Sequence, residues 1–177
     1  SSFSIVISSF AWRMMIYFTF DKSLAGVFFA CFSIGSFPGT VFNSVIGPAY
    51  IKQKITLSKN FKNFFYLIFI CILIFFFINF YYILITENIS YLNTQFISYT
   101  ISISLIGSYF MSYAMYLRHK KIQSSLKTRT DLFQTDILYG LSITFLIPIL
   151  YYIGNAVGVS FSFFIASLIA LISYSFN

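Results

Sequence analysis

The chain has 177 residues, of which 59% are hydrophobic and only 8% charged, and its mean hydropathy is +0.86. A soluble domain is about 45–50% apolar and about 25% charged, so this sequence has too few polar side chains to cover a surface in water. The net charge of +7 does not indicate nucleic acid here, because the basic residues stand in short gaps between apolar runs, as topology signals do. We therefore predict an integral membrane protein with the lipid bilayer as its partner and no nucleic-acid partner.

Six apolar runs are long enough to cross a bilayer, which takes roughly 17–25 residues. They predict an all-α polytopic membrane protein, a single bundle of about six transmembrane helices, over residues 3–20, 24–49, 63–85, 94–116, 133–153 and 158–176. In the second run, Gly35, Pro38 and Gly39 predict an interruption or bend. Only a short turn at 154–157 separates the fifth and sixth runs.

The positions of the basic residues agree with six spans. Of the eleven, four lie between the second and third runs and five between the fourth and fifth. With six spans both gaps fall on one side, and the positive-inside rule places them and both chain ends in the cytoplasm. Because the sequence starts with two serines, without an initiator Met or a signal-peptide pattern, we expect a fragment of a longer chain.

Arg13 lies inside the first run, among apolar residues. A charge at bilayer depth costs at least about 2.5 kcal/mol, so it normally faces a partner or a wet cavity. Ser9, Arg13, Tyr17 and Asp21 recur every four residues and form one polar stripe. The functional interpretation is a cationic site for an anionic substrate group. The alternatives are an Arg that extends to the outer interface or one that pairs with an acid for assembly.

Two further runs carry stripes of small and polar residues, each on one helical face. They are Ser36, Thr40, Asn43 and Gly47 in the second run, and Thr100, Ser104, Ser108 and Ser112 in the fourth. Small residues at such spacing usually let membrane helices approach closely. Packing is favoured strongly for the fourth run and slightly for the second, where lining a cavity is the alternative.

Asp136 lies one turn into the fifth run, where the helix dipole favours an acid. A cytoplasmic ion pair with Arg118 or Lys121, acting as a gate, is the alternative interpretation. His119, in the basic gap beside Arg118, is expected on a solvated face. The sequence contains no metal-ligand cluster, no Ser/His/Asp set and no glycine-rich phosphate loop, so we predict no metal, no cofactor and no enzymatic activity.

Three segments of the sequence also resemble segments of a known family of membrane proteins. These are DKSLAGVFFACFSIGS at 21–36, NSVIGPAYIK at 43–52 and YLRHKKIQSSLKTRTDLFQTDILYG at 116–140. The first two resemble the seventh and eighth helices of bacterial polysaccharide flippases, which export lipid-linked O-antigen repeat units and belong to the oligosaccharidyl-lipid exporter superfamily. The third resembles the cytoplasmic connection into their eleventh helix.

The resemblance implies the C-terminal half of a twelve-helix transporter in the bacterial inner membrane, with the missing N-terminal six-helix half or a second copy as its partner. Its substrate would be an oligosaccharide on a polyprenyl-pyrophosphate lipid, moved from the inner to the outer leaflet by alternating access.

Site residues follow from this resemblance together with the stripes. Candidate substrate-binding residues are Arg13, Lys22, Asn43, Ser36 and Thr40. Candidate gating or ion-pair residues are Asp21, Asp136 and Arg118. The alternatives are a small-molecule exporter of the same superfamily, a membrane enzyme of the cell-envelope polysaccharide pathway and a six-span assembly subunit.

Overall fold

The computed structural model of the chain describes residues 2–53, 70, 74, 77, 91–124 and 129–176. Four helices account for nearly all of these residues: α1 (Ser2–Thr19), α2 (Lys22–Gln53), α3 (Tyr91–Ser124) and α4 (Arg129–Phe176). The all-α class is therefore confirmed over the described ranges. The predicted third span, 63–85, lies outside the described residues apart from 70, 74 and 77, which are helical.

Two helices extend further than the sequence predicted. The interruption expected in α2 is absent, because the helix continues through Pro38 and Gly39 to Gln53. A proline costs a helix one backbone hydrogen bond, which helices in a packed bundle tolerate. α3 continues past 116 to Ser124, since residues 117–124 include neither glycine nor proline. Arg118 and its basic neighbours therefore lie on a helix instead of in a loop, which corrects the prediction.

α4 consists of two helical segments. Gly154 (φ −133°, ψ 17°) and Asn155 (φ 52°, ψ −145°) leave helical geometry, at the point where the sequence predicted a turn between two spans. The Tyr174 hydroxyl donates a hydrogen bond to the Asp136 carboxylate, although the two residues lie far from the break and on opposite sides of it. Segments 129–153 and 156–176 therefore fold back alongside each other.

Two stretches of the described residues are long and apolar enough to cross a membrane, Lys22–Asn43 and Leu132–Ser175, and Ile5–Thr19 is a shorter apolar helix. The second stretch contains the break at Asn155 and covers two of the predicted spans. α3 falls short because serines, threonines and tyrosines alternate with its isoleucines. The predicted count of six spans is thus not reached in the described part of the chain and stays a prediction.

Helices α2 and α3 approach each other closely through glycines. A Cβ atom built on Gly35 would lie 2.5 Å from the Ile101 carbonyl oxygen, and one on Gly39 would lie 2.8 Å from Ser108 Cβ. The hydroxyls of Ser108 and Ser112 donate mainly to carbonyls of their own helix, at 2.8 Å and 2.6 Å, and lie 3.4 Å from the carbonyls of Gly35 and Gly39. The packing role predicted for the small-residue stripe of the fourth run is confirmed.

Helices α1 and α2 meet instead through large aromatic rings. The Trp12 ring centroid lies 4.7 Å from that of Phe32, which in turn lies 4.9 Å from that of Phe163. The indole N–H of Trp12 donates to Ser162 Oγ at 3.3 Å. In the described part of the chain α2 packs on α3, α3 on α4 and α4 on α1, and among these helices α1 and α2 leave a gap between them.

Candidate functional site: a groove between the first two helices

The gap between α1 and α2 forms a groove of about 690 Å³. This volume falls within the range of about 300–1,000 Å³ that is usual for small-molecule sites. The groove is lined by Arg13, Met14 and Tyr17 from α1, and by Phe29, Phe32, Ser33, Ser36, Phe37 and Thr40 from α2. It is a mostly apolar site with a few polar groups, the usual composition of a ligand pocket.

Arg13 supplies the only charge among these lining residues. Its side chain is exposed, and no acid in the described part of the chain pairs with it. Asp136 is bound by Arg118, while Asp21 accepts hydrogen bonds from the Leu24 amide at 2.8 Å and the Ser23 hydroxyl at 3.2 Å. The Arg13 guanidinium therefore presents its N–H donors, up to five, to whatever occupies the groove.

The α2 wall of the groove carries three hydroxyls that are already used as donors. Ser33 Oγ donates to the Phe29 carbonyl at 2.7 Å and Thr40 Oγ1 to the Ser36 carbonyl at 3.1 Å. Ser36 Oγ donates weakly to the Ser33 carbonyl at 3.5 Å. Such bonds to the preceding turn are usual for Ser and Thr inside helices. They leave the oxygen lone pairs as the groups that these side chains offer to a ligand.

Three of the five predicted substrate-binding residues line the groove together: Arg13, Ser36 and Thr40. Asn43 is half-buried and Lys22 is exposed at the start of α2, and neither lines the groove. Among the described residues, α2 packs on α3 through its glycines, so the packing interpretation of Ser36 and Thr40 is not supported.

Sequence reasoning missed Ser33 and the aromatic lining. Ser33 precedes Ser36 by three residues, a spacing that puts both on one helical face and could have identified Ser33. Phe29, Phe32 and Phe37 gave no such signal, because phenylalanines occur throughout the sequence.

The predicted gating residues lie in two separate places. Asp21 caps the N-terminus of α2, since its carboxylate accepts the Leu24 amide, the usual arrangement of an N-cap aspartate. Asp136 and Arg118 form an ion pair between α3 and α4, and neither residue lines the groove. A gating role for either location stays a prediction.

The ion pair is buried and geometrically well formed. Arg118 Nε and Nη2 donate to Asp136 Oδ1 and Oδ2 at 3.0 Å each, and the two residues are only 5% and 0% exposed. Burial alone would lower the pKa of the guanidinium, but the hydrogen bonds and charge of Asp136 outweigh it, so the pKa of Arg118 lies above its usual value. With the Tyr174 hydroxyl on the same carboxylate, this cluster ties α3 to both segments of α4.

His119 is half-buried beside this cluster, and not on the fully solvated face that the sequence predicted. Burial, and secondarily the positive charge of Arg118, lower the pKa of its imidazole below the usual 6.5. The protein therefore holds His119 neutral at neutral pH.

Comparison with known proteins gives no identification, because no family model, no curated protein and no solved structure matches the chain.

Proposed function

We propose that this chain forms a six-span half of a membrane transporter that moves a lipid-linked oligosaccharide from the inner to the outer leaflet of the bacterial cytoplasmic membrane. The observation that carries the proposal is Arg13. Its guanidinium has no acidic partner in the described part of the chain and lines a groove of aromatic and hydroxyl side chains. A charge in a mainly apolar helix is by default a candidate functional group, and an unpaired guanidinium favours an anionic ligand.

Exposed apolar side chains support a bilayer as the surrounding solvent. On α1, Phe10 and Phe18 are 65% and 75% exposed, on α2 Ile34 is 62% exposed, and on α4 Phe145 is 64% exposed. Each apolar Å² left in water costs about 25 cal/mol, so these exposed side chains are unfavourable in water and favourable in hydrocarbon. The basic residues at the end of α3 then lie at the cytoplasmic surface by the positive-inside rule.

The groove chemistry supports a pyrophosphate-linked sugar as the substrate. Arginine binds phosphate oxygens with two parallel hydrogen bonds, and such a bond strengthens where water is scarce. The hydroxyl oxygens of α2 accept hydrogen bonds from sugar hydroxyls, and Phe29 and Phe37 supply apolar surface. A polyprenyl chain would stay in the bilayer beside the exposed rings while the head group occupies the groove.

An assembly subunit is supported less well. That function requires an acid that holds Arg13 in place, and in the described part of the chain Asp21 and Asp136 are both engaged elsewhere. A small-molecule exporter shares the requirement for a cavity, but gives no reason for three hydroxyls next to a single cation.

Complementation of a bacterial strain that lacks surface-polysaccharide export tests the proposal. The gene encoding this chain, expressed at full length, should restore the surface glycan detected by antibody or lectin. Arg13→Gln should abolish export, Arg13→Lys should retain part of it, and Lys120→Gln should act as the wild type because that lysine is exposed away from the groove.

Immunoblots of the membrane fraction establish that all variants are made and inserted. Equal export by Arg13→Gln would remove Arg13 from the substrate site. A wild-type gene that restores no glycan would argue against a flippase. Loss of membrane insertion in Arg13→Gln, with export rescued by a compensating acid-to-neutral change, would instead indicate an assembly role.

A further inference from the structure

The two walls of the groove have opposite hydrogen-bonding character. The α1 wall contributes the Arg13 guanidinium, which can only donate, and, one turn further on, the Tyr17 hydroxyl, which can donate as well as accept. The α2 wall contributes Ser33, Ser36 and Thr40, whose hydrogens are directed to helix carbonyls and whose oxygens therefore act as acceptors. These three residues extend about 10 Å along α2, at a rise of about 1.5 Å per residue.

We infer that the groove selects a substrate whose sugar next to the anionic group is neutral and rich in hydroxyls, and discriminates against an acidic sugar at that place. The inference rests on the proposed function and specifies its substrate class. The anionic group engages Arg13 on the α1 wall, and the sugar hydroxyls donate to the oxygens of the α2 wall.

An acidic sugar would place its carboxylate against hydrogen-bond acceptors on the α2 wall. A carboxylate has no hydrogen to donate, so it faces hydroxyl lone pairs and loses hydration without compensation. A hydroxyl of α2 could turn to donate to it only by giving up its bond to the helix carbonyl. Arg13 cannot pair with the sugar carboxylate, because it already binds the phosphate and is the one cation among the described lining residues.

The protein contains a built-in probe of this groove. Trp12 is the single tryptophan in the sequence, and its ring centroid lies 4.7 Å from that of Phe32 and 6.1 Å from that of Phe29. Both phenylalanines line the groove. Its emission therefore reports occupancy there and not at the basic end of α3.

The test measures binding to the full chain in phosphatidylcholine nanodiscs, by Trp12 emission and by calorimetry. The probes are decyl phosphate, its glucose phosphodiester and its glucuronate phosphodiester, which share one alkyl chain, and the partition of each probe into protein-free nanodiscs is measured and subtracted. Glucose phosphodiester should bind about tenfold more tightly than the glucuronate. Thr40→Val keeps the side-chain shape but removes one acceptor, so it should weaken glucose-probe binding about 3- to 10-fold and leave decyl phosphate unchanged.

Thr19→Val is the matched control. Thr19 also donates to a helix carbonyl, that of Met15 at 2.7 Å, but does not line the groove, so its variant should bind all three probes as the wild type does.

Equal affinity for the glucose and glucuronate probes, with binding still lost in Arg13→Gln, would overturn this inference and leave the proposed function standing. Unchanged binding of every probe by Arg13→Gln, or no binding to the wild type by either method, would overturn the site and both proposals together.

Discussion

Replacing Gly35 with alanine tests the close contact that holds α2 against α3. The added Cβ would lie 2.5 Å from the Ile101 carbonyl oxygen, 2.7 Å from Ser104 Cβ and 3.1 Å from the Leu105 amide nitrogen. Two of these three atoms belong to the backbone, so the helices must move apart. Gly26, on the same helix, provides a matched control, because a Cβ added there would meet no atom within 4 Å.

The magnitude follows from two contributions. Forcing a methyl group into a packed contact costs about 1–3 kcal/mol, and the Ser108 hydroxyl adds little to this, because it donates mainly to the Leu105 carbonyl of its own helix at 2.8 Å. Replacing a helical glycine with alanine gains at most about 0.5–1 kcal/mol. We therefore expect Gly35→Ala to destabilise the protein by about 1–3 kcal/mol and Gly26→Ala to be neutral or slightly stabilising.

Unfolding by SDS in mixed micelles, followed by near-ultraviolet circular dichroism and Trp12 emission, measures both variants under identical conditions. Because helices persist in SDS, the intrinsic preference of alanine for helix contributes little to either unfolding free energy. The difference between the two variants therefore reflects the contact between α2 and α3. If Gly35→Ala unfolded at the same SDS fraction as Gly26→Ala, the glycine contact between α2 and α3 would be refuted.

Three further predictions use the same unfolding assay. His119 is the only histidine and its folded pKa is lowered, so the unfolded chain takes up the proton first. The free energy of unfolding should therefore fall as pH drops through about 6.5 and level off below the folded pKa. His119→Gln should remove this dependence. A fall that persists in the variant would show that another group causes it. Asn155 holds a left-handed φ of 52°, so Asn155→Gly should stabilise by about 1 kcal/mol, whereas Gly154→Ala, with φ −133° and open space around it, should have little effect; the reverse order would refute the strain. Arg118→Met should lower the free energy of unfolding by about 3–5 kcal/mol, because Asp136 is left as a buried charge without its cation. The double variant Arg118→Met with Asp136→Leu should recover most of that loss. Equal losses in the single and double variants would show that the charges are not the cause.

Helix positions and the site of the α4 break could be predicted from the sequence. Apolar run length alone located α1 and α2 to within a few residues, and Gly154-Asn155 indicated the break because glycine and asparagine readily leave helical geometry. Arg13 could be selected because a charge in an apolar run is costly. The four-residue spacing of Ser104, Ser108 and Ser112 predicted their packing face.

The groove and its aromatic lining could not be predicted, because they depend on which helices become neighbours. Nothing in the sequence says that α2 presents its glycines to α3 and its hydroxyls to α1. The ion pair of Arg118 with Asp136 was one of two options, since Lys121 lies three residues further along α3 and carries the same charge. The uninterrupted α2 was missed because proline and glycine end helices in water more readily than in a packed membrane bundle.

The width of the groove depends on contacts remote from it. α1 is anchored on α4 through Trp12 and Ser162, and α2 is anchored on α3 through its glycines. The packing of α3 against α4, which includes the pair of Arg118 and Asp136, therefore sets the distance between the two walls.

Arg118→Met, studied under conditions where it remains folded, should weaken binding of decyl phosphate although no residue that lines the groove has changed. The double variant with Asp136→Leu should restore it, because an apolar pair again holds α3 to α4 without a buried charge. Wild-type affinity in the folded single variant would show that the groove keeps its width independently of the α3–α4 contact, and the ion pair would then have a purely local structural role.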